Sequence, residues 1–350
     1  MKAALLVSPR TYQVREVPDP QAPPDGLLLK VRACGVCGSD LRRWQQGPPE
    51  GIPWIIAGHE IAGVIEEVGA QVKGFLVGER LAVAPDVHCG ECYYCRRGRY
   101  NLCDNLRLIG ISPGYPGGFA EKMALTGEIL HNGVVHRMPE GISFLEGALA
   151  EPASSVLATH ARLGTGPEDV VVVMGAGPIG CLHVAVGRAR GARVVLSEPA
   201  AQRRYKALDL EPELVVDPVH EDLEVLVRQL TSGRGADIVI CANPVAASQS
   251  QAVEIVRKGG KVALFGGVPK SDPLTHLDAN RIHYGEIEVV GAFSYHPTYH
   301  ELALEMIRRR LIPSETLITH TFPIDEINQA FEMAASGSAL KVIVSEEADR

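Results

Sequence analysis

The sequence predicts a two-domain α/β protein, a β-rich unit joined to a doubly wound parallel sheet. Three observations carry this. The 350 residues exceed what a single hydrophobic core serves well. The texture of the chain changes near Glu146. From Asp169 onward, apolar runs of strand length alternate with amphipathic segments of helix length, the pattern of βαβ units in a parallel sheet.

The first half reads as short strands parted by Pro and Gly clusters. They are Lys2 to Val7, which Ser8-Pro9-Arg10 ends, then Tyr12 to Val17, Leu27 to Ala33, Ile61 to Val68 and Leu81 to Ala84. In the second half the candidate strands are Val170 to Met174, Arg193 to Leu196, Leu214 to Val216, Asp237 to Cys241, Lys261 to Phe265 and Ile287 to Val290. Pro178 to Arg190, Asp222 to Thr231 and Ala246 to Arg257 read as intervening helices, which suits a doubly wound dinucleotide fold. A helix near Tyr299 to Arg309 and a strand Lys341 to Val344 close the chain, and no internal repeat is visible.

Composition narrows the function classes. A hydrophobic fraction of 46% with 22% charged residues is that of a globular protein. No apolar stretch approaches the roughly 20 residues that span a bilayer, and the start is too short for a signal peptide. No membrane role and a cytoplasmic location are expected. In a reducing compartment the eight cysteines read as metal ligands or buried thiols rather than disulfides. The formal net charge of −8 disfavours nucleic acid, whose phosphates demand a basic face.

Three motifs carry chemistry. Cys89-x2-Cys92-x2-Cys95-x7-Cys103 places four thiolates within fifteen residues, enough for one loop to wrap a tetrahedral zinc with every position filled by sulfur. Such a closed site is structural, and it would hold the loop 89–103, which has too few apolar residues to hold itself. Cys37 and the pair His59-Glu60, both in glycine-rich settings, offer a thiolate, an imidazole and a carboxylate. That borderline donor set suits zinc with an open position for water or substrate. Gly175-x-Gly177-x-x-Gly180, with Pro178 and Ile179 inside it, follows an apolar strand and opens a helix. Its glycines permit a tight turn and close pyrophosphate approach to unpaired N–H groups. Glu198 ends the next strand, where an acid binds the adenosine ribose and repels a 2′-phosphate. NAD is thereby favoured over NADP, with Arg203 and Arg204 the counter-observation. Gly266, after the fifth strand, and Phe293, after the sixth, are expected to flank the nicotinamide end.

Taken together these motifs resemble the zinc-dependent medium-chain dehydrogenase/reductase family, and within it the polyol and, less closely, the L-threonine 3-dehydrogenases. The resemblance covers essentially the whole chain. It implies a GroES-like catalytic domain over 1–154 with the structural zinc lobe at 89–103, a Rossmann NAD-binding domain over 155–290, and a return to the catalytic domain over 291–350. It implies two zinc ions per subunit, with Glu151 a further ligand that shares the catalytic ion with Glu60. Ser39 matches the family position whose hydroxyl takes the substrate proton and passes it toward solvent, with a turn serine capping local backbone the rival reading. NAD-linked polyol dehydrogenases also carry an arginine five residues after their acid, so Arg203 is expected along the adenine. The implied reaction is oxidation of a secondary alcohol, on a polyol or sugar alcohol, by hydride transfer to NAD, in a homodimer or homotetramer that pairs through Ile287 to Phe293. The family's histidine after the metal cysteine is replaced by Arg42-Arg43. Those arginines could recognise a phosphorylated polyol or a sugar acid, or could point to solvent. Outside enzymes the rival is a zinc-stabilised nucleotide-binding protein, against which the intact Cys37, Ser39, His59 and Glu60 argue.

Overall fold

A computed structural model describes residues 1–346. The chain divides into two compact units, one built from Met1–Ser154, Tyr295–Arg310 and the segment from Ile318 on, the other from Ser155–Ser294 and Leu311–Leu317. The return over 291–350 is therefore interrupted, and its last four residues lie outside those described. Ile312 and Leu317 are buried, and the short helix Ser314–Leu317 packs on Pro178–Ala189 of the second unit, which is why this segment leaves the first.

The first unit centres on a sheet ordered Ile318–Phe322, Lys341–Ser345, Leu27–Gly35, Glu60–Val68, Arg80–Ala84 and Val134–Arg137, with Lys122–Leu125 also pairing Leu27–Gly35. Alternating residues such as Leu27, Leu29, Ile61, Ile65, Leu81 and Val83 build its core around Phe119 and Phe331. Gly35 faces Glu60 across the antiparallel pair, and a Cβ there would collide with the Glu60 carboxylate. Only glycine lets this acid sit inside the sheet.

The second unit is a six-stranded parallel sheet ordered Leu214–Val216, Arg193–Ser197, Val170–Met174, Ala236–Cys241, Val256–Leu264 and Glu288–Gly291. Numbered along the chain this is 3-2-1-4-5-6, which places a ligand crevice at the carboxyl end of the first strand. Strand Val170–Met174 is buried along its whole length, as a central strand covered on both faces must be. Several elements differ from expectation. Helix Ala246–Ile255 stops short of Arg257 because strand Val256–Leu264 begins there. The last strand is Glu288–Gly291, so only the middle of the segment Ile287 to Phe293 expected to pair between subunits is strand, and Phe293 follows it as expected. The helices Gly38–Gln46 and Phe144–Leu163 have no counterpart among the expected elements, the second being masked by Pro152 inside it.

The second unit also buries two histidines completely: His183 Nδ1 lies 3.2 Å from His160 Nε2, and His160 Nδ1 lies 3.0 Å from Thr165 Oγ1. Loss of water, then the Arg190 charge, lowers His160 to about 3, and burial likewise holds His183 well below its ordinary value. In the unfolded chain both titrate near 6.5, so unfolding takes up protons between that pH and about 3. The stability from burying them neutral is complete above about pH 6.5 and is lost as pH falls toward the folded value. At pH 5 the loss is roughly 2 kcal/mol per histidine. Thermal melts at pH 7.5 and 5 check this, and the difference should shrink in His183→Gln.

Candidate functional site

Cys37 precedes the helix Gly38–Gln46, and His59 and Glu60 stand where strand Glu60–Val68 begins. The sheet brings the two segments together, so that the donor atoms of Cys37, His59 and Glu60 all lie within 4.8 Å of one another. Glu60 is fully buried and His59 nearly so, while Cys37 is half-exposed. Glu151, on helix Phe144–Leu163, stands outside that cluster and accepts a hydrogen bond from the buried Tyr295 hydroxyl at 3.2 Å. Loss of water around its carboxyl, then the Glu60 and Asp86 charges, raise Glu151 to about 7.

The surroundings supply two residues that sequence reasoning missed. Asp40 is buried, accepts from the Cys37 backbone N–H at 3.0 Å through Oδ2, and places Oδ1 3.4 Å from His59 Nδ1. It thereby ties one donor to another. Its position as third residue of the helix after Cys37 is a capping-box signal that could have found it. Lys341 is 3% exposed and its Nζ lies 2.6 Å from the Glu60 carboxylate. A lysine opening an apolar strand carries no local sign of such a role. Ser39 does not cap the helix, since Cys37 occupies that position; its Oγ lies 3.4 Å from His59 Nε2.

The charges at this site call for a cation. Glu60, Glu151 and the Cys37 thiol lie around the buried Lys341 ammonium, and Asp40 and Cys37 stand against His59. Burial alone would lower His59, but the Asp40 and Cys37 charges outweigh it and hold the imidazole well above its ordinary value. Glu60 Oε2 is buried with the Lys341 ammonium 2.6 Å away and His59 Nδ1 with the Asp40 carboxylate 3.4 Å away, and neither makes a well-directed hydrogen bond among the described residues. Zinc bound to the three donors would offset that charge, and a Cys, His, carboxylate set is one it accepts. A carboxylate behind a ligating histidine is worth 10–100-fold in metal affinity or activity. Asp40→Asn is accordingly expected to lower kcat/KM about 10–100-fold at unchanged thermal stability, and steady-state kinetics with bound-zinc analysis check it.

A second cluster is closed. The sulfurs of Cys89, Cys92, Cys95 and Cys103 also lie within 4.8 Å of one another, and all are free thiols. Backbone N–H groups of Cys92, Cys95, Cys89 and Asn105 point at them from 3.3 to 3.5 Å. Such donors lower Cys89 to about 6 and also lower Cys92, whereas burial raises Cys95 to about 12 and raises Cys103. A dication would make all four thiolates.

In the second unit the glycine turn opens helix Pro178–Ala189, with Gly177 at its N-cap and Pro178 in its first turn. A Cβ at Gly180 would collide with the Gly175 carbonyl, which makes the turn specific to glycine, while space above Gly177 is open for a phosphate group. Glu198, 4% exposed, accepts from Ala176 N at 2.7 Å and Ala200 N at 2.9 Å, so its carboxylate stands beside the turn. Arg204 is engaged by Asp217 at 2.7 Å and by the Glu198 and Pro199 carbonyls. Arg203 places a guanidinium nitrogen 4.0 Å from Glu198. Gly266 packs closely on Asn243, and Phe293 is 59% exposed.

With that geometry in place, two family models match. The alcohol dehydrogenase GroES-like domain matches residues 23–137 and the zinc-binding dehydrogenase domain residues 178–309. Similar proteins include an L-idonate 5-dehydrogenase from Vitis vinifera, 35% identical over 97% of this chain and 93% of its own. A sorbitol dehydrogenase from Halalkalibacterium halodurans is 32% identical over 95% of each chain. A solved alcohol dehydrogenase from E. coli CFT073, complexed with NADH, superposes with a TM-score of 0.88 at 25% identity over 99% of each chain. Among the described residues, no helix is long and apolar enough to cross a membrane.

Proposed function

The chain belongs to the zinc-dependent medium-chain dehydrogenase/reductase family, and from that premise we propose that it oxidises a secondary alcohol of a polyol or sugar alcohol to a ketone, with NAD as hydride acceptor. The convergence of Cys37, His59 and Glu60 beside the Ser39 hydroxyl carries this reading, because the other cluster has no open position for a substrate. Zinc at those three residues would supply Lewis-acid charge beside the substrate hydroxyl, and NAD at the glycine turn would take the hydride. Ser39 Oγ accepts the hydroxyl proton as its own proton passes on toward solvent, a relay that needs only a hydrogen-bonding hydroxyl within reach of that oxygen. Asp40 holds the His59 ring and the Cys37 backbone in place. Lys341 offsets the Glu60 charge, and Glu151 stands in reserve as a further carboxylate ligand. Glu198 binds the adenosine ribose, Arg203 lies along the adenine, and Gly266 and Phe293 border the nicotinamide. The engagement of Arg204 by Asp217 leaves it poorly placed for a 2′-phosphate, which supports NAD over NADP.

Cys89, Cys92, Cys95 and Cys103 hold a second, structural zinc in this reading. Eight free cysteines accord with a cytoplasmic location. The outer edge of Glu288–Gly291 has no strand partner among the described residues and suits pairing across a homodimer or homotetramer. Sugar acids and phosphorylated polyols are a second reading. Arg42 and Arg43 lie three and four residues after Ser39 on one helix, and so on its side, Arg42 exposed and Arg43 half-buried.

NADH formation at 340 nm by zinc-loaded protein tests both readings on a panel of polyols, their phosphates, L-idonate, threonine and simple secondary alcohols, repeated with NADP. Turnover of a neutral polyol with NAD is the expected result. Selective turnover of an anionic substrate transfers the assignment to the arginines, and turnover of threonine alone, or preference for NADP, overturns the corresponding part.

A further inference from the structure

The second unit carries a basic pocket away from its glycine turn. It has a volume of about 470 Å³ and is lined by Arg228, Arg234, Arg257, Lys258, Arg281 and Tyr284 over an apolar floor of Val256 and Ile287, with no acidic residue in the lining. Five cations around one opening are out of keeping with a chain of net charge −8. The pocket collects residues at the amino ends of strands Ala236–Cys241, Val256–Leu264 and Glu288–Gly291, together with helices Leu223–Leu230 and Ala279–Gly285. The glycine turn and Glu198 follow the carboxyl ends of the parallel strands. A rise of about 3.3 Å per residue puts the two edges of a six-residue strand roughly 17 Å apart. The cofactor crevice and the basic pocket are therefore different places.

The pocket is built rather than incidental. Ala236 pairs with Val256 and Ile238 with Lys261, so Arg257, Lys258, Gly259 and Gly260 bulge out of the sheet opposite the single residue Asp237. A bulge of this kind re-aims side chains. Here a Cβ at Gly260 would press on Val256, Arg257 and Asp237, so the bulge closes tightly on itself. Arg257 is fixed by Asp237 at 2.6 Å, Arg228 by Glu224 at 2.8 Å, and Arg281 by the Val253 and Glu254 carbonyls. Arg234 and Lys258 form no ion pair among the described residues and are exposed. Five cations less the two paired carboxylates leave a surplus of three positive charges.

We propose that this pocket is a second anion site on the dinucleotide-binding unit, which takes a small phosphorylated compound bearing at least two negative charges. Planar guanidinium groups match phosphate oxygens in bidentate fashion. Tyr284, 77% exposed beside them, offers a flat apolar face to the rest of such a molecule. A ligand that bridges the two helices and the bulge also stabilises the unit by binding only its folded form.

Calorimetric titration of inorganic pyrophosphate into the full chain tests this, with NADH present at saturation to fill the glycine turn and its fluorescence reporting that occupancy. One saturable site per chain is expected, with a dissociation constant below about 1 mM. Arg234→Glu/Lys258→Glu, two exposed positions away from the zinc and cofactor residues, should weaken it about tenfold or more while turnover and NADH affinity stay unchanged. Absence of saturable binding below about 10 mM, or equal binding by the variant, overturns the proposal. So does binding of citrate without pyrophosphate, or a changed oligomeric state with unchanged pyrophosphate affinity, which would make the patch a subunit contact.

Discussion

Cys37→Ala and His59→Ala are each expected to lower kcat/KM by roughly a thousandfold or more, and to lose the zinc proposed for the open site without unfolding. The Lewis-acid contribution of a catalytic metal is worth several kcal/mol, and each 1.36 kcal/mol is a decade in rate, so about 4 kcal/mol gives that factor. Neither donor is an apolar core residue: Cys37 is half-buried, and the buried His59 ring stands 3.4 Å from the Asp40 carboxylate. Native circular dichroism and an unchanged zinc content in the 89–103 lobe therefore accompany the loss. Steady-state kinetics and zinc analysis by atomic emission check both statements. Activity within about tenfold of the parent would place the reacting hydroxyl elsewhere.

Cys103→Ser is expected to act on stability first. The segment 89–103 contains only the short turns Cys95–Arg97 and Tyr100–Leu102, and Tyr93 is 61% exposed, so little apolar burial holds it. Its buried thiols resist ionisation, Cys95 with a pKa of about 12, until a metal draws off the protons. With one sulfur removed the tetrahedral site loses a ligand, and metal binding that doubles as folding energy is lost with it. For a loss of about 3–5 kcal/mol in a unit of this size, the melting temperature falls by roughly 10 °C. Limited proteolysis should then cut within 89–103 before it cuts elsewhere. An unchanged melting temperature together with full zinc content would show that the lobe holds itself without the fourth thiolate.

Much of this protein is local in its sequence, and that part is legible without a structure. Four cysteines within fifteen residues can meet only through a short loop. Gly175-x-Gly177-x-x-Gly180 works through backbone room that no other residue allows, and the runs of valine in Val170–Met174 declare a strand buried on both faces. The donors Cys37, His59 and Glu60 lie in short glycine-rich motifs, so their residue types and spacing already indicate zinc. Pairings between distant residues are a different matter. Lys341 reaches Glu60 across 281 residues and Tyr295 reaches Glu151 across 144, and neither residue has a neighbour in sequence that hints at it. The basic pocket gathers two helices and a bulge whose arginines read singly as surface charge. The donor atoms and the backbone turns are written into the chain locally, because spacing and steric allowance act over a few residues. Which charges are offset emerges from the fold, because it depends on which remote side chains packing encloses together.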